Sequence, residues 1–226
     1  MRGVTRELVL AVWRALPWRA PAAGGILGLL IAGATRLSEG EPDPWLGLAL
    51  LRTAALAYAL GLAFLLDDPA RHTTAAVPTR RALRTGLRLA LVTPVTALWW
   101  TAVLFLVPSD MRPPAADVTL EAAAACTVTL AAAVAAIRLT DEPQPGPSVA
   151  AALLFTAVVA PLLLPHRWEL IAWVGDPRWA AAHERWAWLL AGAVVALAAG
   201  LPEPVRRFQP VRRPRTRPQA DGGLGA

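Results

Sequence analysis

The chain alternates between long apolar stretches and short segments that hold most of its charged residues. Each apolar stretch is close to the roughly 20 residues that a helix needs to cross a bilayer. The pattern predicts transmembrane helices at residues 21–35, 45–66, 85–107, 118–139, 148–164 and 186–201. The predicted fold class is therefore all-α, a polytopic membrane bundle of about six transmembrane helices that occupies residues 21–201.

Two flanking segments complete the predicted organisation. In residues 1–20, arginines surround Leu8, Val12, Trp13 and Leu16, a spacing typical of an amphipathic helix on the cytoplasmic membrane surface. The alternative is a signal peptide cleaved near Ala32-Gly33-Ala34, although its basic start would be unusually long. Residues 202–226 are rich in Pro, Gly and Arg and are predicted to form a disordered cytoplasmic tail.

Two connecting segments carry helix signals of their own. Asp68-Pro69 combines an N-cap residue with a first-turn proline, so it predicts a short cytoplasmic helix that ends before Pro78. A second Asp-Pro pair, Asp176-Pro177, lies in residues 165–185, where tryptophans and aliphatic residues alternate with charges. That segment is predicted to form one or two interfacial helices between spans five and six.

The fourth span is alanine-rich and only weakly apolar. Small residues allow helices in a membrane to approach closely. This span is therefore predicted to pack inside the bundle.

Arginine distribution predicts the orientation, because short cytoplasmic loops carry an excess of basic residues. With the N-terminus inside, 16 of the 22 basic residues fall on cytoplasmic segments. The prediction is N-in and C-in, as a multi-pass protein of the bacterial plasma (inner) membrane. All the basic residues are arginine, which is typical of a high-GC genome, so the net charge of +6 is weak evidence for binding nucleic acid.

Several chemistries lack the residues that they need. A chain without lysine cannot carry the lysine-containing phosphate loop, so any ATP hydrolysis is expected in a separate subunit. The predicted spans contain no histidine, which argues against an intramembrane serine protease or a bis-histidine haem site. The single cysteine, Cys126, excludes an intrachain disulfide. We expect no enzyme activity and no cofactor.

Two histidine–glutamate pairs, His166 with Glu169 and His183 with Glu184, fall in the predicted outer loop. They could form a metal site if the two halves of the loop folded together. Ordinary loop polarity is the favoured interpretation, so no metal site is predicted.

Two charges lie inside apolar stretches at similar predicted depth, Arg52 in the second span and Glu121 in the fourth. Charges in a membrane are costly unless they are paired, which predicts an ion pair between them. The pair could be structural, or it could form part of a polar substrate path. Six tryptophans map to the outer interface and predict an aromatic belt there, namely Trp45, Trp168, Trp173, Trp179, Trp186 and Trp188.

The order of these parts resembles the membrane-spanning subunits of type-2 ABC exporters. The resemblance covers residues 1–201, and the stretch from Leu65 to Thr79, LLDDPARHTTAAVPT, looks like permease-type proteins encoded beside ATPase genes. It implies that Pro69 to Val77 is a coupling helix that docks on a separate ABC ATPase subunit. The residues implied for this coupling loop are Asp67, Asp68, Pro69, Arg71, His72 and Thr74.

By the same resemblance, a second permease copy or a paralogue would pair with this chain to form the substrate path. The arginines of the tail are expected to attract anionic lipid. The weakly apolar fourth span and the compact outer loop depart from the family pattern and leave the path and the substrate open. The alternative function is a non-transporting membrane accessory, assembly or immunity protein.

Overall fold

The computed structural model describes residues 10, 12–37, 41–67, 81–140, 144–163, 165 and 168–201. Within these residues the fold is all-helical and contains no strand, as predicted. Its α-helices are α1 (Arg19–Gly33), α2 (Pro44–Ala63), α3 (Arg81–Leu106), α4 (Ala115–Thr140), α5 (Gly146–Leu163) and α6 (Trp179–Gly200). A 3-10 turn, Ala34–Arg36, extends α1.

Four of these helices are long and apolar enough to cross a membrane. They are α2, the Thr85–Leu106 part of α3, α4 and α5. This indicates a membrane protein. The first and last helices are not in this group. The helix α1 is too short, with 15 residues, and α6 is not apolar enough because polar residues lie close to its start.

Asp-Pro pairs begin two of the helices. The Asp43 carboxylate accepts a hydrogen bond from the Trp45 N–H at 2.8 Å, and Pro44 occupies the first helical position of α2. Such a cap satisfies one of the backbone donors that the first turn leaves unpaired. The Asp176 carboxylate accepts from the Arg178 N–H at 2.8 Å just before α6.

A helix does follow Asp176-Pro177, as predicted, but it is the start of α6 and not a separate interfacial helix. Among residues 168–178, only Trp168 adopts a helical (3-10) conformation, and Asp176-Pro177 opens α6 itself. The last helix therefore begins at Trp179, not at residue 186. The physical reason is that Trp179, His183 and Trp186 share one helix face, so the first turns of α6 pack on the bundle while Glu184 stays exposed.

Glycines bring α1 and α2 unusually close together. A Cβ atom added at Gly24 would lie 2.5 Å from the Ala57 carbonyl oxygen, and one at Gly61 would lie 2.6 Å from the Ala20 carbonyl oxygen. No larger residue fits at either position without moving a helix. The contacts also show that the two helices are antiparallel, since the end of α2 meets the start of α1.

Trp99 of α3 fills the remaining space over this pair. Its indole N–H donates to the Gly25 carbonyl oxygen at 2.9 Å, and its ring stacks on Tyr58 with 4.1 Å between centroids. A Cβ atom at Gly28 would lie 2.6 Å from the Trp99 ring. A single large side chain thus attaches α3 to both earlier helices.

The bundle has two ends. We call the end that holds Trp45, Asp117 and Trp179 the Trp45 end, and the opposite end, where α2 meets the start of α5, the Asp67 end. The helices α4 and α6 run parallel from one end to the other. Glu121 contacts His183 near the Trp45 end, and Arg138 donates to the Ala199 carbonyl oxygen at the Asp67 end.

Burial differs strongly between the candidate spans. In α2, 61% of the 18-residue apolar stretch is buried within the protein. The corresponding share is 39% in α4, 17% in α3 and 11% in α5. The prediction that α4 packs inside is supported, but α2 is the central helix, which composition did not indicate. The exposed large apolar side chains of α5 face outward, as lipid contact requires; they are Leu154, Phe155, Val158, Leu162 and Leu163.

Several predictions fall outside the described residues. These concern most of the N-terminal segment, the coupling-loop residues Asp68, Pro69, Arg71, His72 and Thr74, and the tail. Of the N-terminal segment, residue 10 and residues 12–15 are helical, and Leu16 is buried against the bundle.

Candidate functional site: a buried charged cluster

Arg52 and Glu121 form a two-pronged ion pair inside the bundle. Arg52 donates from Nε to Glu121 Oε2 and from Nη2 to Glu121 Oε1, each at 2.7 Å. Glu121 is 6% exposed, and the Arg52 side chain is 20% exposed. The structure therefore contains the contact that the sequence predicts.

Helix geometry explains why the two side chains meet. At 1.5 Å per residue, Arg52 lies about 12 Å along α2 and Glu121 about 9 Å along α4, measured from the helix starts at the Trp45 end. Because α2 and α4 run parallel, the two depths differ by only about 3 Å. Two hydrogen bonds with good lengths offset the cost of removing both charges from water.

His183 completes the cluster from α6. It is 6% exposed, its Nδ1 lies 2.8 Å from the Trp179 carbonyl oxygen, and its Nε2 lies 3.0 Å from Glu121 Oε1. The Nε2–Oε1 distance is that of an ion pair, but the angle at Nε2 is poor for a hydrogen bond. We define the charged cluster as Arg52, Glu121 and His183; it links α2, α4 and α6.

The sequence did not reveal His183 as part of this site, because residues 165–185 resemble a polar outer loop. The available signal was the four-residue spacing of Trp179 and His183, which places both on one face of a helix. Glu184 is exposed on another face, and His166, which the alternative with a metal also needs, lies outside the described residues. The described residues contain no group of three or more His, Cys, Asp or Glu that could hold a metal ion.

Tryptophans cover the cluster toward the Trp45 end. The Trp179 ring lies 4.3 Å from the His183 ring, and its indole N–H donates to Asp117 Oδ2 at 2.6 Å. Asp117 precedes Glu121 by four residues, so the two carboxylates lie on the same face of α4. Trp45 packs on Trp173 with 5.5 Å between ring centroids.

An exposed ion-pair network holds the first residues of α6. Arg178 donates to Glu169 Oε2 and Asp176 Oδ2, each at 2.9 Å. These hydrogen bonds from Arg178 lower the pKa of the Asp176 carboxyl below its ordinary value. Trp186 and Arg185 add bonds to the carbonyl oxygens of Leu170 and Glu169, so residues 169–178 are attached to α6 at several points.

Asp67 is the one residue of the predicted coupling loop that the structure describes. Its Oδ1 accepts a hydrogen bond from the Gly146 N–H at 2.8 Å, at the first residue of α5. A Cβ atom at Gly146 would collide with the Phe64 ring, so the small residue allows this contact. The segment after Asp67 therefore begins at a fixed point on the bundle, and a carboxylate suits the positive end of a helix.

Comparison of the chain with protein-family models, with curated proteins and with solved structures finds no match. Function is therefore inferred from the described residues and from the sequence pattern.

Proposed function

We propose that this chain is the membrane-spanning permease subunit of an ABC transporter, an exporter, in the inner membrane of a bacterium. A separate ATPase subunit would hydrolyse ATP, and a second permease copy or paralogue would complete the substrate path. The number of crossings, the position of the segment at residues 67–80 and the attachment of Asp67 support this function.

The helix lengths support six crossings. With its 3-10 extension, α1 runs from Arg19 to Arg36, about 27 Å at 1.5 Å per residue, close to the thickness of the hydrocarbon core. The last helix packs on α4 along its length, from the Glu121–His183 contact to the Arg138–Ala199 contact. If α4 crosses the bilayer, α6 crosses it as well.

Six crossings bring both chain termini to the side of the Asp67 end. The arginine distribution assigns that side to the cytoplasm. Among the segments that link the described helices, residues 64–80 are the longest in sequence, and this segment leaves the bundle at this end through Asp67. A cytoplasmic ATPase would find its largest target there.

The observation that carries the proposal is the Asp67–Gly146 hydrogen bond. It ties the segment that leads into residues 68–80 to the start of α5, and Phe64 contacts Gly146 beside it. A displacement of that segment would therefore act on α2 and α5 together. In a permease, ATP binding would shift the population of two bundle arrangements through this connection.

The test is co-purification of the tagged chain with the ATPase encoded nearest to its gene, in mild detergent. The sequence predicts a helix after Pro69, and proline at its middle costs about 3 kcal/mol relative to alanine. We expect wild type and Thr74→Ala to retain the ATPase and Thr74→Pro to lose it. Equal recovery of the permease in membranes checks that insertion is unaffected.

Asp67 variants test transmission separately from binding. Asp67→Ala removes the acceptor for the Gly146 N–H, whereas Asp67→Asn keeps an acceptor oxygen of similar reach. We expect both variants to retain the ATPase, and only Asp67→Ala to lose the ATPase stimulation that the permease gives. If wild type retains no ATPase, the non-transporting accessory protein becomes the better proposal.

A further inference from the structure

A cavity of about 380 Å³ lies at the Trp45 end, between α6 and the segment that precedes it. Trp168 and Leu170 line it from the segment, and Arg185, Trp188 and Leu189 line it from α6. The volume falls in the range of small-molecule binding sites, which are mostly apolar and carry a few polar groups that fix orientation. Arg185 is the only charged side chain in this lining.

Hydrogen bonds hold the two walls of this cavity in place. The Trp186 indole N–H donates to the Leu170 carbonyl oxygen at 2.9 Å, and Arg185 Nη1 donates to the Glu169 carbonyl oxygen at 2.7 Å. Both bonds attach residues 169–170 to α6. The cavity is therefore formed by the fold itself, before any ligand enters it.

The charge of Arg185 lacks a counter-charge within the part of the chain that the structure describes. Its side chain is half-buried, and its described hydrogen bond goes to a backbone carbonyl. The carboxylate of Glu169, the residue that supplies this carbonyl, accepts from Arg178 at 2.9 Å. A guanidinium has five N–H donors in a planar fork that suits phosphate oxygens. The apolar cavity thus carries a cation that can bind an anion.

The order of residues along α6 matches the polarity of a lipid molecule. The helix begins at the Trp45 end, so Arg185 lies nearest the membrane surface and Trp188 and Leu189 lie one turn deeper. Gly192 continues the same helix face by a further turn. A Cβ atom at Gly192 would meet nothing within 4 Å, so this face stays open below the cavity. A cation above an open apolar face fits a phosphate group with an acyl chain beneath it.

We propose that this cavity is a binding site for one membrane phospholipid, taken from the leaflet at the Trp45 end. Arg185 binds the phosphate, and an acyl chain lies along Leu170 and Leu189 and passes Gly192. Trp168 and Trp188, both exposed, flank the lipid where the hydrocarbon meets the headgroups, a zone that tryptophan prefers. The site belongs to this chain alone and does not depend on the transport function.

The test is lipid binding by the full chain, stripped of lipid in detergent and measured by native mass spectrometry. The probe is dioleoyl phosphatidylglycerol, and dioleoylglycerol supplies the same acyl chains without a phosphate. We expect wild type to bind the phospholipid about tenfold more tightly than dioleoylglycerol, and Arg185→Gln to lose this preference. Arg36→Gln is the matched control, because Arg36 donates to backbone carbonyls at the same end, outside the cavity.

A second variant tests the acyl chain and leaves Arg185 intact. In Gly192→Leu the new side chain enters open space and leans toward the start of the helix, over Leu189. We expect it to weaken phospholipid binding about tenfold while its Tm stays at or above that of wild type. Wild-type phospholipid binding by either Arg185→Gln or Gly192→Leu would refute the proposal. Displacement of the lipid by an equal concentration of glycerol phosphate would refute it as well, since the acyl chain would then contribute nothing.

Discussion

At the scale of single residues, Glu121 is the central member of the buried cluster because it contacts both basic side chains, Arg52 and His183. Arg52 approaches its two oxygens from α2, and His183 approaches one of them from α6. Removal of the carboxylate leaves two basic groups facing each other in a buried site. Removal of Arg52 leaves the carboxylate with His183 alone.

We therefore expect Glu121→Ala to lower the free energy of unfolding in detergent by about 3 kcal/mol, the cost of breaking a buried pair. Arg52→Ala should cost much less in the Glu121→Ala background than in wild type, because the partner charge is already gone. Arg138→Ala is the matched control, since Arg138 binds a backbone carbonyl at the Asp67 end. Its effect should add fully to that of Glu121→Ala; additive losses for Arg52 and Glu121 would contradict coupling.

The sequence predicts two of the three residues of this cluster, for a clear physical reason. Arg52 and Glu121 interrupt apolar stretches, where an unpaired charge is expensive, so each calls for a partner. His183 gives no such signal, since its neighbours Glu184 and Arg185 make the segment look solvated. His183 lies on the buried face because α6 already includes it, whereas the sequence predicted that the sixth span begins at residue 186 and assigned His183 to the outer loop.

At the scale of helices, α1 and α2 are held together by close backbone approach more than by large side chains. Gly24 and Gly61 each face a carbonyl oxygen of the other helix. In a membrane the apolar surroundings give helices no hydrophobic reason to associate, so this packing is the main attraction between them.

Gly24→Ala and Gly61→Ala should each destabilise the bundle by roughly 1–3 kcal/mol, because the added methyl group forces the two helices apart. Gly192→Ala provides the control, since a Cβ atom at Gly192 meets nothing within 4 Å. That variant should be neutral or slightly stabilising, as alanine is the better helix former. Thermal unfolding in detergent measures all three, and an unchanged Tm for both close-contact variants would show that the helices separate at little cost.

Helix bounds were predictable where the sequence marks them with proline and acidic residues. The helix α2 begins at Pro44, directly after Asp43, and α5 begins at Gly146, within the proline-rich segment that ends at Pro147. The contacts between helices were not predictable, because glycine at positions 24 and 61 is compatible with many partners. Nor did composition show that α2, which contains an arginine, is the most buried candidate span.

At the scale of the whole molecule, the arginine distribution predicts the orientation. Two exposed leucines mark opposite ends of the bundle: Leu37 after α1, 83% exposed, and Leu139 near the end of α4, 84% exposed. They provide a matched pair of positions for introducing a cysteine once Cys126 is replaced.

With Cys126 changed to alanine, Leu37→Cys should react with a membrane-impermeant thiol reagent in intact cells. Leu139→Cys should react only after the cells are opened, because the Asp67 end is expected to face the cytoplasm. Labelling is read on the purified protein by gel shift, with denatured samples to show that both cysteines are reactive. The reverse pattern would invert the proposed orientation.

The attachment of α5 has a mechanical consequence. Its first residue is fixed by Asp67 and Phe64, and Val149 is buried one turn later, whereas large side chains from Leu154 to Leu163 are exposed. A rod held near one end behaves as a lever. About 27 Å of helix extends from Gly146. A small tilt there would therefore displace the far end of α5, at the opposite membrane surface, by a larger distance than the attached end.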